Sequence, residues 1–353
     1  MSEAVLQTPL ISFCERSVVT SIESLLAGFD DAFASVAYKR SLNVAGSTFH
    51  VGSNDPAYLD QAERALATRD VPSVSQCRIA VINADDRLCP TLFWPPNRFR
   101  EREIEAVLST TPYRIHFYDD LNFWQVFDVD RAVGIQWMAT RDGFPAWDAG
   151  SPLRNFVQWH LGANDTSLLH GGTLALGGTG VLLAGKGGAG KSSTVLAGIF
   201  AELQSVGDDY VLVDATKRTA RPVFDTLKQD EAGLRRLGQW GQAAIPNRAN
   251  WQGKHQFYLP DVTRGVLSPQ IDLKAILLPH LAFGDQTSVT EIDAKSAFIA
   301  LAPSGVTQIY CDRPRLFSVA GRIARQLPAY RLDLGTDPDE IVAVLRQFIR
   351  KMH

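Results

Sequence analysis

Cysteine is scarce in this sequence: four residues in 353, at Cys14, Cys77, Cys89 and Cys311, with no C-x-x-C pair and no histidine at zinc spacing. That pattern argues against a disulfide framework and a structural zinc site, and fits free thiols in a reducing compartment. No apolar run reaches the ~20 residues of a membrane span, and the first residues lack a basic stretch followed by a long apolar core. The expectation is a cytoplasmic chain with no membrane partner. A surplus of one charge is lacking too. Lys and Arg number 35 against 38 Asp and Glu, a formal net charge of −3, so no electrostatic footprint for nucleic acid is present. Internal repeats and low-complexity segments are absent.

What remains is ordinary globular composition, 45% hydrophobic and 21% charged, in a length that suggests about two domains. Asp142-Gly143-Phe144-Pro145 and Asp148-Ala149-Gly150-Ser151-Pro152 are turn-forming clusters. They divide the chain into residues 1–147 and 148–353.

The first part reads as a mixed, β-rich α+β unit. Alternation over Ser35–Lys39 and over Asn43–Val51, around Gly46, predicts paired strands. Further strands are expected at 78–82, 113–118 and 123–128, and helices at 56–68 and 101–108. Aromatic residues are frequent here, including Trp94, Phe117, Tyr118, Phe123, Trp124, Phe127 and Trp137. They could line a groove for an extended peptide, but aromatics more often fill a core, and the core is the reading preferred.

The most informative stretch is Gly185-Lys186-Gly187-Gly188-Ala189-Gly190-Lys191-Ser192, followed by Ser193. It lies between the apolar run Val181–Ala184 and a helical pattern from Ser193 to Phe200, so it reads as strand, glycine loop, helix. It completes the P-loop pattern G-x-x-x-x-G-K-[ST]. In such a loop backbone N–H groups point into one concavity, the helix adds the positive end of its dipole, Lys191 reaches the phosphates, and the Ser192 hydroxyl can hold Mg²⁺. A nucleotide with Mg²⁺ is therefore expected at the loop.

Around the loop, a short helix is expected over Leu153–Leu161 and a strand-like run over Leu168–Leu176, with a Gly177–Gly180 turn making an antiparallel hairpin with the loop's strand. Downstream stands Gly207-Asp208-Asp209 between apolar stretches. Paired carboxylates there are either a solvated turn or, if buried, a site needing a metal or a cation.

His170, the glycine loop and Asp208-Asp209, in that order, resemble the catalytic domain of HPr kinase/phosphorylase and related serine kinases, over roughly residues 150–353. Similarity of arrangement continues through Pro222-Val223-Phe224, Thr226-Leu227-Lys228, Gly253–Tyr258, a strand at Leu273–Leu278, a helix at Pro314–Gln326, a strand at Tyr330–Leu334 and a helix at Pro338–Lys351. The glycine-rich signature that the bifunctional enzymes carry after their P-loop is missing, which leaves phosphorolysis and HPr as substrate open. It implies a P-loop domain of the HPr kinase and PEP-carboxykinase type, with a mixed sheet. It also implies transfer of the γ-phosphoryl group of ATP to a serine or threonine hydroxyl of a peptide or protein. Carried over position by position, Asp208 would be the base, Asp209 and Ser192 the Mg²⁺ ligands, and Lys191 the phosphate contact. His170 would sit beside the transferring group; alone, it would read as a structural histidine.

Two other readings share the loop. Lys186-Gly187-Gly188-Ala189-Gly190-Lys191-Ser192 also resembles the loop of ParA/MinD-type ATPases, with Lys186 as the lysine that crosses a dimer and Asp214 as an acid. A kinase acting on a small-molecule hydroxyl would use the same site with another acceptor pocket. The oligomeric state is left open, homo-oligomers included.

Overall fold

In a computed structural model, residues 18–83, 101–118, 123–138, 148–162, 165–237, 253–263, 266–306, 309–310 and 312–352 are described. Trp94, Cys14, Cys89, Cys311 and the Asp142–Pro145 cluster fall outside them. The architecture is mixed α/β, with two large mixed sheets and a two-stranded ribbon.

The first sheet holds β1 (Tyr38–Val44), β2 (Ser47–Ser53), β3 (Ser75–Asn83), β4 (Tyr113–Tyr118), β5 (Phe123–Asp128) and β6 (Val133–Met138), in the order β1-β2-β3-β6-β5-β4. Ala45 and Gly46, at φ 51° and 82°, make the two-residue turn between β1 and β2, a left-handed turn that matches strand twist. Strand alternation then sends side chains to two different cores. Ala80, Ile82, Trp124, Val126, Ile135 and Trp137 pack under the N-terminal helices, with Ile22, Leu26 and Phe29. Cys77, Ile79, Val81 and Phe127 point the other way, into a core shared with Phe156, Trp159, Leu168 and Phe224 of the second half. Cys77 is a buried free thiol, pushed up by that burial.

The second half adds β7 (Thr166–His170), β8 (Gly172–Leu176), β9 (Thr179–Leu183), β10 (Tyr210–Asp214), β11 (Thr219–Pro222), the ribbon β12 (Thr226–Asp230) with β13 (Lys254–Tyr258), and then β14 (Ile271–Gly284), β15 (Ser288–Ile292) and β16 (Ala329–Gly335). The long β14 organises the sheet: it runs parallel to both β9 and β16, and its start pairs antiparallel with β11. Helices Lys191–Phe200 and Pro338–Arg350 cover one face, through Val195, Leu196, Leu345 and Ile349 against Val181, Leu183 and Leu332.

Several expectations shift. The first hairpin strand begins at Tyr38, because Ser35 ends the helix Phe29–Ser35. The helix from Pro56 stops at Ala65, since Ala67 donates its N–H to the Val223 carbonyl (2.8 Å) and Leu66 bridges Phe224. The run 168–176 is two strands, broken where the Gly171 N–H turns to the Asp209 carbonyl at 3.1 Å. The β8–β9 pair is the antiparallel hairpin expected. Unforeseen were β6, β15 and the helix Ala294–Val306. Trp124, Phe127 and Trp137 are buried and so fill cores, while Phe117 and Tyr118 are half-buried. Among the described residues no helix is long and apolar enough to cross a membrane.

Candidate active site

The glycine loop leaves the end of β9 and enters the helix at Lys191, with Gly185, Gly188 and Gly190 at φ 138°, 80° and 102°. Those left-handed angles are what the glycines supply. Lys186, Gly187 and Gly188 are exposed and Ala189 half-buried, whereas Lys191 is 6% exposed. Its Nζ folds over the loop and donates to the carbonyls of Gly185 (2.6 Å) and Lys186 (3.2 Å). Burial pulls the Lys191 amine down from its ordinary value, while Asp208 and Asp209 work against that.

The two carboxylates reach the loop through the main chain. β7 and β10 pair antiparallel with His170 opposite Tyr210, so the residues just before Tyr210 lie at the His170 end of the sheet. Two bonds then fix the segment: Gly171 N–H to Asp209 O and Thr173 N–H to Gly207 O, both 3.1 Å. Gly207 (φ 127°) and Asp209 (φ 68°) turn the chain through left-handed conformations, which aspartate tolerates better than most residues.

Asp208 is 2% exposed, has the Ser192 hydroxyl close enough to favour its charged form, and leaves its Oδ1 buried with no hydrogen-bond partner. Burial raises its carboxyl above the ordinary range and the Asp209 charge adds to this, against Ser192, Lys191 and His170. Asp209 goes the opposite way. Burial alone would raise it, but Lys228, His170 and Arg154 together hold it far below the usual carboxylate range. His170 Nδ1 lies 3.2 Å from Oδ1 of Asp209, in contact but without hydrogen-bond alignment. Lys228 Nζ lies 3.5 Å from Oδ2. Two neighbouring carboxylates are thus pushed apart in proton affinity, the arrangement that separates a proton acceptor from a permanent anion.

The structure therefore brings His170, Lys191, Ser192, Asp208 and Asp209 into one contiguous set. It sends two other sequence candidates elsewhere: Lys186 lies exposed on the outer loop, and the Ser193 hydroxyl accepts from Gln229 Nε2 (3.0 Å) on the ribbon. Asp214 stands at the far end of β10 from Asp209, where it caps the Thr216 and Lys217 amides.

Sequence reasoning did not single out Lys228 or Arg154. Arg154 is 9% exposed, donates to the Tyr210 hydroxyl (3.2 Å) and lies 5.0 Å from that ring's centre, next to Asp209 in the chain. The alternation of Leu227 into the core and Lys228 away from it was a signal for Lys228. Nothing local marks Arg154.

A divalent cation fits this donor set. Asp209 offers a carboxylate held ionised and Ser192 a hydroxyl, with the unpartnered, buried Oδ1 of Asp208 beside them. Among the described residues no group of three or more His, Cys, Asp or Glu is placed to hold a metal ion. Mg²⁺ in general is commonly held by one or two carboxylates plus substrate phosphates.

No family model matches the sequence, and no curated protein matches it. Among solved structures it is similar to the Hpr(Ser) kinase/phosphatase from Coxiella burnetii, at 15% identity and a TM-score of 0.26, over 53% of this chain and 98% of that one. A TM-score of that size does not establish a common fold.

Proposed function

We propose that the chain is an ATP-dependent kinase that transfers the γ-phosphoryl group to a serine or threonine hydroxyl of a peptide or protein. The observation that carries this reading is the meeting of Asp208 and Asp209 with Lys191 and Ser192 at the start of the glycine-loop helix, with Oδ1 of Asp208 buried and unpartnered. Phosphoryl transfer asks a protein mainly for positioning and charge stabilisation, plus a base near the acceptor oxygen.

In this reading the loop amides from Gly185 to Ser192 hold the phosphates, and Lys191 exchanges its two carbonyl partners for phosphate oxygens. Ser192 and Asp209 would hold Mg²⁺, which neutralises phosphate charge when bound. Asp208, with its raised carboxyl, accepts the acceptor's proton, and His170 orients Asp209 from beside the transferring group. Residues 1–147 would choose the acceptor and 148–353 perform the chemistry. The ParA-like alternative needs Asp214 at the site, and Asp214 is at the opposite end of its strand.

The test is nucleotide binding and label transfer from γ-labelled ATP with Lys191→Ala and Lys186→Ala. Lys191→Ala is expected to abolish both while the protein stays folded; Lys186→Ala is expected to leave both near wild type. Unchanged turnover in Lys191→Ala removes the kinase reading. Loss of activity in Lys186→Ala favours the dimeric ATPase.

A further inference from the structure

Lys228 lies on the ribbon strand β12, and its stem is laid along the turn at Gly150: a Cβ there would lie 2.4 Å from Cε and 2.8 Å from Nζ. The side chain is 14% exposed, and its Nζ reaches Oδ2 of Asp209 at 3.5 Å, on the oxygen that His170 does not contact. This ribbon is tied to the glycine-loop helix through Gln229 and Ser193. It also carries Lys254, opposite Asp230, within electrostatic reach of Lys191.

A buried carboxylate that stays ionised, as Asp209 does, needs positive charge beside it. A compact ammonium on a flexible stem can supply it and then leave, which a forked guanidinium does less readily. The 3.5 Å separation is a loose contact that a divalent cation can replace. Resting on the kinase reading above, we infer that Lys228 is a built-in counter-ion that stands at Asp209 while the metal is absent. The arriving metal and nucleotide displace it, and its ammonium then pairs with the phosphates. The fold so keeps its anionic pair compensated in both states, and metal without nucleotide binds against a resident charge.

The competition is read with Mn²⁺ alone, by the resonance signal of the free ion, on the full chain without nucleotide. A cation within ~4–6 Å changes a carboxylate's affinity for a proton about 10- to 1000-fold, and metal binding is opposed by the same electrostatics. Lys228→Met is expected to bind Mn²⁺ about tenfold or more tighter than wild type, and Lys228→Arg no tighter. With Mn²⁺ saturating, Lys228→Met should bind ATP more weakly, because the phosphates have lost a partner. Lys228→Gln repeats the comparison if the Met variant does not fold.

Unchanged or weaker Mn²⁺ binding in the charge-removing variant overturns the inference, since a merely structural pair would leave Asp209 less ordered and a poorer ligand. Unchanged ATP affinity overturns the transfer to phosphate. Failure of the kinase reading looks different: wild type and Lys191→Ala would then bind ATP alike, whatever Lys228 does to Mn²⁺.

Discussion

A Cβ at Gly172 would lie 2.7 Å from Oδ1 of Asp208, so the buried carboxylate occupies space that any other residue's side chain would take. Gly172→Ala must therefore displace the Asp208 carboxylate. It would also meet Val195 Cγ2 at 2.5 Å. The expected result is a loss of about 1–3 kcal/mol of stability from overpacking and a fall in turnover of about 10²-fold from misplacement of the base. Adding Val195→Ala separates the two. Thermal melting should recover in part, while turnover, measured by label transfer, should not.

Asp148 gives a dependence on pH. Burial pushes its carboxyl up to about 7, against the pull of Arg154, Tyr58 and Lys228. The folded protein then holds a proton that the unfolded chain releases near its ordinary value of 3.8. Stability should accordingly be full below about pH 4 as far as this group is concerned, and decline as pH rises towards about 7, by at most on the order of 4 kcal/mol. Asp148→Asn should flatten the difference in Tm between pH 5 and pH 8 and raise the value at pH 8. A variant with the wild-type slope would assign that slope to another group.

Arg69 and Asp225 tie the two halves together with paired bonds of 2.7 and 2.5 Å, and Asp225 is 5% exposed. Arg69→Ala leaves a buried carboxylate alone and should cost about 3–5 kcal/mol. Replacing both, as Arg69→Met with Asp225→Leu, should cost less than the single change. Denaturant unfolding checks the order. Because Phe127 and Phe156 also share one core, at 5.8 Å between ring centres, deleting the first half would expose that core. The assignment of acceptor choice to residues 1–147 is better probed by point substitution than by truncation.

Local features of the fold were the legible ones. β4, β5 and the helix Glu101–Leu108 fall where period and composition put them, and the strand, loop and helix around Lys191 follow from glycine spacing. β6 escaped notice because Gly134 and Gln136 sit on its inner face, where Gly134 admits the Phe156 ring and Gln136 accepts from Gln125. β15 has no fully buried residue and so no apolar alternation to read. At the site, the nearness of His170 to the aspartate pair was suggested only by the family resemblance, and the strand pairing of β7 with β10 that produces it was not foreseen. Lys228 and Arg154 approach Asp209 from other elements, and that convergence is not written in any one segment.

The kinase account stands most directly on Asp208, and its turnover as Asp208→Asn is the measurement that tests it. With Mg²⁺·ATP and an acceptor that wild type phosphorylates, the variant should bind nucleotide nearly as wild type does. It should lose about 10²–10⁴ in label transfer, the usual worth of a positioned proton acceptor. Asp209→Asn should instead weaken the metal, with part of its rate recovered at higher Mg²⁺. Wild-type turnover in both variants at low Mg²⁺ would contradict the account, and would leave Asp208 and Asp209 as a buried turn with no part in phosphoryl transfer.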